Sequence, residues 1–236
     1  MRKKQSIGTR NESSLHRTLK LQYAGPGGKT EVPAGAYIAD GLRDDGEYIE
    51  VQTSSFAPLK NKVKEFVKDG RVRIIHPIAV KKTIEVYKPA AVKGKKYGAL
   101  LYRRRSPVKG SPWSIFHALV NAPLLPLTPG LTIEILLIDI IEKRIKDGKG
   151  TWRKKGVSFH DKELAALHES ILLKKPADYL RFVPFKKKEE FTSSLLAERA
   201  GIGALEATTA LYVLTKMNIV KRKEKNGRSW IYARKI

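Results

Sequence analysis

The sequence contains no cysteine among its 236 residues. This absence excludes a disulfide framework, thiol catalysis and any thiolate-ligated zinc or iron–sulfur site, so a metal would have to be held by carboxylates or imidazoles. No apolar run approaches the roughly 18 residues of a membrane-spanning helix, and Met1 and the basic residues after it precede no apolar stretch like that of a signal peptide. We therefore expect a soluble intracellular protein, cytoplasmic or nucleoid-associated, with no membrane partner.

Acidic residues are also scarce. The chain has 23 Asp and Glu against 47 Lys and Arg, a formal net charge of +24. A field of this size attracts polyanions, and nucleic acid is the leading candidate partner. The charge is spread along the chain, with +7 in residues 1–88, +10 in 89–185 and +7 in 186–236. Hydrophobic residues at 42% exclude a wholly disordered basic chain and, with the length, indicate two or three packed domains.

Residues 40–50 are the local exception, with five acids and one base. Asp44, Asp45 and Glu47 surround Gly46 and are typical of a solvated hairpin turn. Asp40 and Glu50 differ, because each lies in an apolar, strand-like run. An acid inside a strand of a strongly basic protein calls for a specific role.

The elements around these two acids follow a defined order. The patterns predict a helix, three short strands with a tight turn between the last two, an amphipathic helix and a buried strand. Their predicted bounds are Ser13–Ala24, Lys29–Pro33, Gly35–Leu42, Glu47–Thr53, Pro58–Lys68 and Arg71–Val80, with Thr83–Tyr87 as a further strand. Asp40 falls in the second strand and Glu50 in the third.

This order, with Asp40 followed by Glu50-Val-Gln52, resembles the PD-(D/E)XK nuclease superfamily over roughly residues 8–88. The resemblance implies that Asp40 and Glu50 bind Mg²⁺ or Mn²⁺, that Glu12 on the first helix completes the site, and that Gln52 orients the attacking water. Alternation along a strand also places residues 50 and 52 on one face, and all-oxygen sites suit magnesium.

The sequence departs from the superfamily pattern at two positions. Gln52 stands where lysine is usual, which removes a positive charge from the site, and Ala39 stands where proline is usual. Lys60, Lys62 or Lys64 on the following helix could supply the missing charge, although for each lysine taken singly the pattern favours a solvated or phosphate-facing helix side.

The middle segment begins with a very basic stretch over residues 89–110, which resembles a linker. Its triple arginine, Arg103, Arg104 and Arg105, predicts either a phosphate clamp or an exposed linker. Residues 131–141 form a predicted buried strand and residues 161–173 a predicted helix. Glu134 and Asp139 are five apart in that strand, and opposite faces argue against a shared metal.

The last segment, residues 186–236, predicts a short helix capped at Thr192 or Ser193, a second helix over 204–217, and two strands joined at Asn226-Gly227. This arrangement resembles a winged helix-turn-helix domain, in which the second helix enters the major groove and the hairpin contacts the backbone. Leu205 is expected in the core. The phosphate-contacting residues expected on the hairpin are Lys221, Arg222, Lys223, Lys225 and Arg228.

Together these patterns predict an α/β protein: a restriction endonuclease-like mixed sheet flanked by helices (1–88), a basic α+β middle segment (89–185) and a C-terminal winged helix (186–236). The expected function is metal-dependent hydrolysis of double-stranded DNA, with Lys60 and Lys64 among the DNA contacts. The alternative is a non-catalytic DNA-binding or regulatory protein on a degenerate nuclease scaffold, and RNA is a third partner class. A homodimer is consistent with the resemblance, because such nucleases often act as dimers on duplexes.

Overall fold

A computed structural model describes residues 12–92, 94–151, 155–227 and 229–236. These residues form a mixed α/β fold with one large sheet flanked by helices and a smaller C-terminal sheet. In the large sheet the strands lie in the order β1-β2-β3-β4-β6-β7, with β5 paired to β4. The elements are α1 (Ser14–Ala24), β1 (Lys29–Ala34), β2 (Tyr37–Leu42), β3 (Tyr48–Val51), α2 (Leu59–Asp69), β4 (Val72–Tyr87), β5 (Leu100–Arg105), α3 (Ile115–Leu119), β6 (Leu131–Lys146), β7 (Val157–Leu173), β8 (Glu190–Phe191), α4 (Ser193–Ala200), α5 (Ala204–Lys216), β9 (Val220–Asn226) and β10 (Ser229–Arg234).

The first part of the chain has the predicted order of elements. The Ser13 side chain caps α1 by accepting a hydrogen bond from the His16 backbone N–H. Strands β1, β2 and β3 form an antiparallel meander, and Gly46 takes the left-handed conformation (φ 81°) in its second turn. Helix α2 then crosses over, so that β4 pairs with β3 in parallel. The strands predicted at 71–80 and 83–87 are one continuous strand.

Two predictions for the middle segment are wrong. Residues 161–173 are not a helix but most of β7, which pairs antiparallel with β6 along nearly its whole length. Pairing with a long neighbouring strand overrides the helical propensity of this Ala-, Leu- and Glu-rich stretch. Within the presumed linker at 89–110, residues Leu100–Arg105 form β5, which pairs antiparallel with the end of β4.

Both faces of the large sheet are covered near its middle. On one face α1 buries Leu15 and Leu19 against Ile49, Ile75 and neighbouring apolar residues of β6. On the other face α2, α3 and the C-terminal helices share a single larger core with the sheet. Burial of these apolar side chains supplies most of the driving force that holds the layers together.

The C-terminal segment packs directly on this larger core. Thr192 caps α4 through its hydroxyl, and Gly201 ends that helix in the left-handed conformation (φ 63°). Strands β9 and β10 form the expected hairpin, and β8 adds a third strand beside β10. The expectation that Leu205 is a core residue is wrong, since its side chain is 75% exposed on α5.

The large sheet contains strands from both the 1–88 and the 89–185 segments, because β4 pairs with β6 in parallel from Val72 to Tyr87. The strands β4, β6 and β7 are 16 or 17 residues long, so at about 3.3 Å per residue each spans roughly 50 Å. Their far ends, with β5, extend beyond the short meander. We call this region, residues 81–109 and 139–164, the basic arm.

Candidate functional site

Three polar residues at four-residue spacing meet where α1 begins. Glu12 lies just before the capping residue Ser13, so the expectation that it is on the first helix is wrong, whereas His16 and Lys20 are on α1. Glu12, His16 and Lys20 are connected through the Glu12 carboxylate: its Oε1 lies 2.6 Å from His16 Nδ1 and 2.8 Å from Lys20 Nζ. His16 and Lys20 are four residues apart and share one face of α1. This face is turned toward the strands that carry the predicted acids, so α1 contributes two bases to the site, and Glu12, just before the helix, contributes an acid.

Asp40 on β2 and Glu50 on β3 are neighbours, as the sequence predicts. The Asp40 backbone N–H donates to Glu50 Oε1 at 3.2 Å, and the Val51 backbone N–H donates to Asp40 Oδ2 at 2.8 Å. Glu50 is 3% exposed. Adjacent antiparallel strands therefore hold the two carboxyl groups side by side, with Glu50 at the buried end.

His16 connects the helix to this pair. Its Nε2 lies 3.2 Å from Asp40 Oδ2 and 3.0 Å from the Val51 carbonyl oxygen, while Nδ1 contacts Glu12. The imidazole thus lies between Glu12 and Asp40. The sequence analysis did not select His16, although its four-residue spacing from Glu12 was a usable signal.

Lys62 is the lysine of α2 that reaches the site. Its Nζ lies 2.7 Å from Glu50 Oε2. Lys60 and Lys64 are on the exposed side of the same helix. The helix periodicity separates the three lysines, because residue 62 is on the side that also buries Val63 and Phe66 against the sheet.

The charges in the site shift the pKa values of its groups. Burial and the neighbouring Asp40 charge raise the pKa of Glu50 to about 7, against the opposing effect of Lys62. The hydrogen bond to Asp40 raises the pKa of His16 to about 9, with a further contribution from Glu12. Burial opposes ionisation of Asp40, but bonds from His16 and Val51 N–H leave its pKa below the usual value. At neutral pH Asp40 is therefore ionised and His16 is a cation.

Gln52 lies just past the end of β3 and is not joined to the two acids. Its side-chain Nε2 donates to the Ser55 backbone carbonyl at 2.5 Å, and its backbone carbonyl accepts from His76 Nδ1 at 2.6 Å. Gln52, which the resemblance assigns to orienting water, therefore stabilises the loop that leads to α2.

No three His, Asp or Glu side chains within the described ranges stand in common reach of one ion as they are placed. Glu134 and Asp139, expected on opposite faces, have separate partners. Glu134 binds Tyr23, Arg73 and Ser170, whereas Asp139 Oδ1 contacts His168 Nε2 at 2.8 Å.

A polar cleft of about 900 Å³ opens beside Glu12. It is lined by the start of α1, by β1 and by parts of the basic arm: Glu12, Ser13, Ser14, Arg17, Lys20, Thr30, Lys96, Phe159, His160 and Asp161. The Asp161 carboxylate accepts hydrogen bonds from the Ser14 N–H and hydroxyl at 2.9 and 2.5 Å. These two bonds connect β7 to the first turn of α1, and the connection forms one wall of the cleft.

The predicted arginines lie on the basic arm. All of β5 is exposed, and Arg103 donates to Glu85 Oε1 through its Nε at 2.9 Å. Among the described residues, neither Arg104 nor Arg105 has an acidic partner within 4 Å. The two segments of the arm hold 18 Lys and Arg against six Asp and Glu, so they carry half of the net charge of +24.

The basic residues predicted on the C-terminal hairpin have different neighbours. The Arg222 guanidinium lies 4.2 Å from the centre of the Trp230 ring, and Lys225 Nζ lies 5.2 Å from it. Lys223 pairs with Glu190 at 2.5 Å, and Lys221 is exposed. Arg228 lies outside the described residues.

Comparison with known proteins identifies the family. Residues 13–174 match the model of the "Domain of unknown function (DUF8091)", which is more than half of the chain, so the protein belongs to this family. The match includes the acids of β2 and β3, helix α2 and the whole large sheet. No solved structure matches the chain.

The chain is also similar to an "Uncharacterized protein" of Treponema pallidum (strain Nichols). The two are 26% identical over 227 residues, which cover 96% of this chain and 87% of that protein. No helix in the described part of the chain is both long and apolar enough to cross a membrane.

Proposed function

We propose that this protein is a metal-dependent nuclease that hydrolyses phosphodiester bonds in DNA. The observation that carries the proposal is the convergence of Asp40, Glu50 and Lys62 from three successive elements, with Glu12 joined to them through His16. Two adjacent carboxyl groups, one ionised and one with a pKa near 7, together with a lysine at 2.7 Å, suit phosphoryl-transfer chemistry.

The arrangement of residues 12–88 supports the resemblance to PD-(D/E)XK nucleases. The order helix, three-stranded meander, helix and parallel strand is as the resemblance implies, and the two acids stand on its second and third strands. The resemblance extends no further than this core, because β5, β6 and β7 lie outside it.

The residues present fit a Mg²⁺ or Mn²⁺ ion. His16 Nε2, a cationic N–H donor, lies between Asp40 Oδ2 and the Val51 carbonyl oxygen, at 3.2 and 3.0 Å. Two oxygens that hold a cationic donor in this way can also bind a small divalent cation, and Glu50 adds a third oxygen donor nearby. A bound ion would take the place of the positive charge that His16 now supplies beside Asp40. It would also offset the repulsion from the Asp40 charge that raises the pKa of Glu50.

When bound, the ion would polarise the scissile phosphate and lower the pKa of an attacking water. The protein groups then have separate roles. Asp40 and Glu50 would position the ion, and Glu12, which is paired with Lys20, lies on the other side of His16 from Asp40. Lys62, rather than Gln52, would supply the positive charge beside the phosphate, since its ammonium group already lies at Glu50.

The distribution of charge supports DNA as the substrate. The basic arm, the exposed lysines Lys60 and Lys64, and the C-terminal hairpin all present cations that can neutralise backbone phosphates. The C-terminal segment keeps its proposed role as a winged-helix DNA-binding element. Its second helix has only Lys216 as a basic residue, so the hairpin is the better backbone contact.

The test is cleavage of plasmid, linear and branched DNA with Mg²⁺, with Mn²⁺ and with neither. We expect cleavage by the wild type only with a metal, and none by Asp40→Ala, which should bind DNA as well or better because a negative charge is lost. Asp44→Ala is the matched control, since Asp44 is exposed in the turn between β2 and β3. Cleavage that persists in Asp40→Ala would refute the site.

One observation favours a second candidate, a non-catalytic DNA-binding or regulatory protein. Each site carboxylate already has a cationic neighbour: Lys62 for Glu50, His16 for Asp40 and Lys20 for Glu12. Such compensation would stabilise the fold without a metal. Thermal unfolding with 1–10 mM Mg²⁺, about the range in which a weak site would respond, separates the two, because a metal that binds the folded state must raise the melting temperature.

A further inference from the structure

We infer that the polar cleft beside Glu12 binds an unpaired, single-stranded segment of DNA and leads it to the carboxylates. This inference rests on the proposed function and adds a substrate class to it: DNA with a single-stranded end, flap or gap next to the cleaved position. Three features of the cleft carry the inference, namely its position, its unneutralised cations and an exposed aromatic ring.

The position of the cleft connects it to the site. Glu12 and Lys20 are part of its lining, and the same Glu12 carboxylate contacts His16 at 2.6 Å. His16 in turn contacts Asp40. A DNA strand bound in the cleft would therefore be separated from the acids on β2 and β3 by the His16 side chain.

The charges of the cleft favour a phosphate backbone. The two acids in its wall are already engaged: Glu12 by His16 and Lys20, and Asp161 by the Ser14 N–H and hydroxyl. Arg17 and Lys96 are exposed, and within the described part of the chain neither lies within 4 Å of an acidic group. These two cations remain free to pair with backbone phosphates.

Phe159 provides the reason for an unpaired strand. Phe159 is the first exposed residue of β7. Its side chain is 48% exposed and lines an otherwise polar cleft. Its ring centre lies 5.7 Å from Lys162 Nζ, so a cation is also present at the ring. Sites for single-stranded nucleic acid combine aromatic rings, on which bases stack, with cations that follow the backbone. A base within a duplex is already stacked on its neighbours and offers no free face to such a ring.

The experiment measures binding without cleavage. A fluorescently labelled 12-nucleotide single strand and a blunt duplex of the same sequence are titrated with the full chain in EDTA, and fluorescence anisotropy is recorded. We expect Phe159→Ala to weaken single-strand binding about ten-fold, with less than about two-fold change for the duplex. Lys96→Ala should also weaken single-strand binding, because its ammonium group pairs with backbone phosphates. Phe159→Tyr, which keeps a stacking ring, should bind the single strand like the wild type.

Two control variants match these changes outside the cleft. Leu167→Ala removes another apolar side chain of β7, which is 43% exposed. Lys174→Ala removes a cation just past the far end of β7, roughly 50 Å from Phe159. Both should leave single-strand binding unchanged. Far-UV circular dichroism and melting temperatures verify that each variant is folded.

The outcomes separate this inference from the proposed nuclease function. Wild-type single-strand affinity in Phe159→Ala and Lys96→Ala would overturn the inference, as would equal losses of single-strand and duplex binding in Phe159→Ala. If Phe159→Ala selectively loses the single strand but no metal-dependent cleavage is found, the cleft assignment stands and hydrolysis does not. If Asp40→Ala loses cleavage while Phe159 proves irrelevant to binding, hydrolysis stands and the cleft assignment does not.

Discussion

Replacing Glu50 with glutamine should stabilise the protein at pH 8. The pKa of Glu50 is raised from 4.5 to about 7 by burial and by the Asp40 charge, which corresponds to roughly 3 kcal/mol of penalty on the ionised form. A raised pKa means that the stability associated with this group is present below pH 4.5 and is lost as the pH rises through about 7. An amide carries no charge to bury and still offers Lys62 an acceptor.

The expected difference in the free energy of unfolding between Glu50→Gln and the wild type therefore depends on pH. It should be about 1 kcal/mol at pH 5, where the folded wild type keeps Glu50 mostly protonated, and about 3 kcal/mol at pH 8. Urea denaturation followed by tryptophan fluorescence measures both values. At roughly 2–4 °C per kcal/mol for a chain of this size, the melting temperature should rise by about 6–12 °C at pH 8.

Glu142→Gln is the matched control, and we expect it to change the stability in the opposite direction. Glu142 is also buried, but its bonds to Lys82 and Arg144 outweigh burial and hold its pKa below the usual value. Its replacement should therefore destabilise the protein at pH 8. If Glu50→Gln is also less stable than the wild type at pH 8, the Lys62 ion pair outweighs burial and the reasoning about Glu50 is wrong.

Three further variants test the site and the arm. His16→Gln should cost about 2 kcal/mol at pH 6 and little at pH 10 in urea denaturation, because the stability from a His pKa raised to about 9 is present below pH 6.5 and is lost as the pH rises through 9. The cost is smaller than the roughly 3 kcal/mol that the full pKa shift would give, since solvent screens the half-buried ring. A loss that does not vary with pH would contradict the pairing with Asp40. Lys62→Gln should reduce metal-dependent cleavage about a hundred-fold in a plasmid nicking assay, whereas Lys64→Gln should not, and equal rates would exclude Lys62 from the chemistry. Replacing Arg104 and Arg105 with serine should reduce the slope of log affinity for duplex DNA against log salt by about 2, and an unchanged slope would show that β5 contacts no phosphates.

Local patterns predicted much of the first part of the chain. The helix at 14–24, the meander and the hairpin at residue 46 all follow from short-range signals such as caps, turns and alternating burial. The same signals misled where a long-range pairing decided the structure. Residues 161–173 have a helical composition but lie along β6, and residues 100–105 have the composition of a linker but lie along β4. No local pattern contains the partner strand, so neither strand could be read from its own residues.

The sequence by itself determined that the protein is strongly basic, that it has no thiol chemistry, and that Asp40 and Glu50 lie on strands. Only the tertiary structure decided which side chains join them. His16 enters the site because α1 packs on β3, and Lys62 reaches Glu50, rather than Lys60 or Lys64, because α2 buries one particular face. Gln52, two residues from Glu50, instead bonds to Ser55. The physical reason is that strand and helix periods fix which face a residue occupies, whereas packing between distant segments fixes what that face meets.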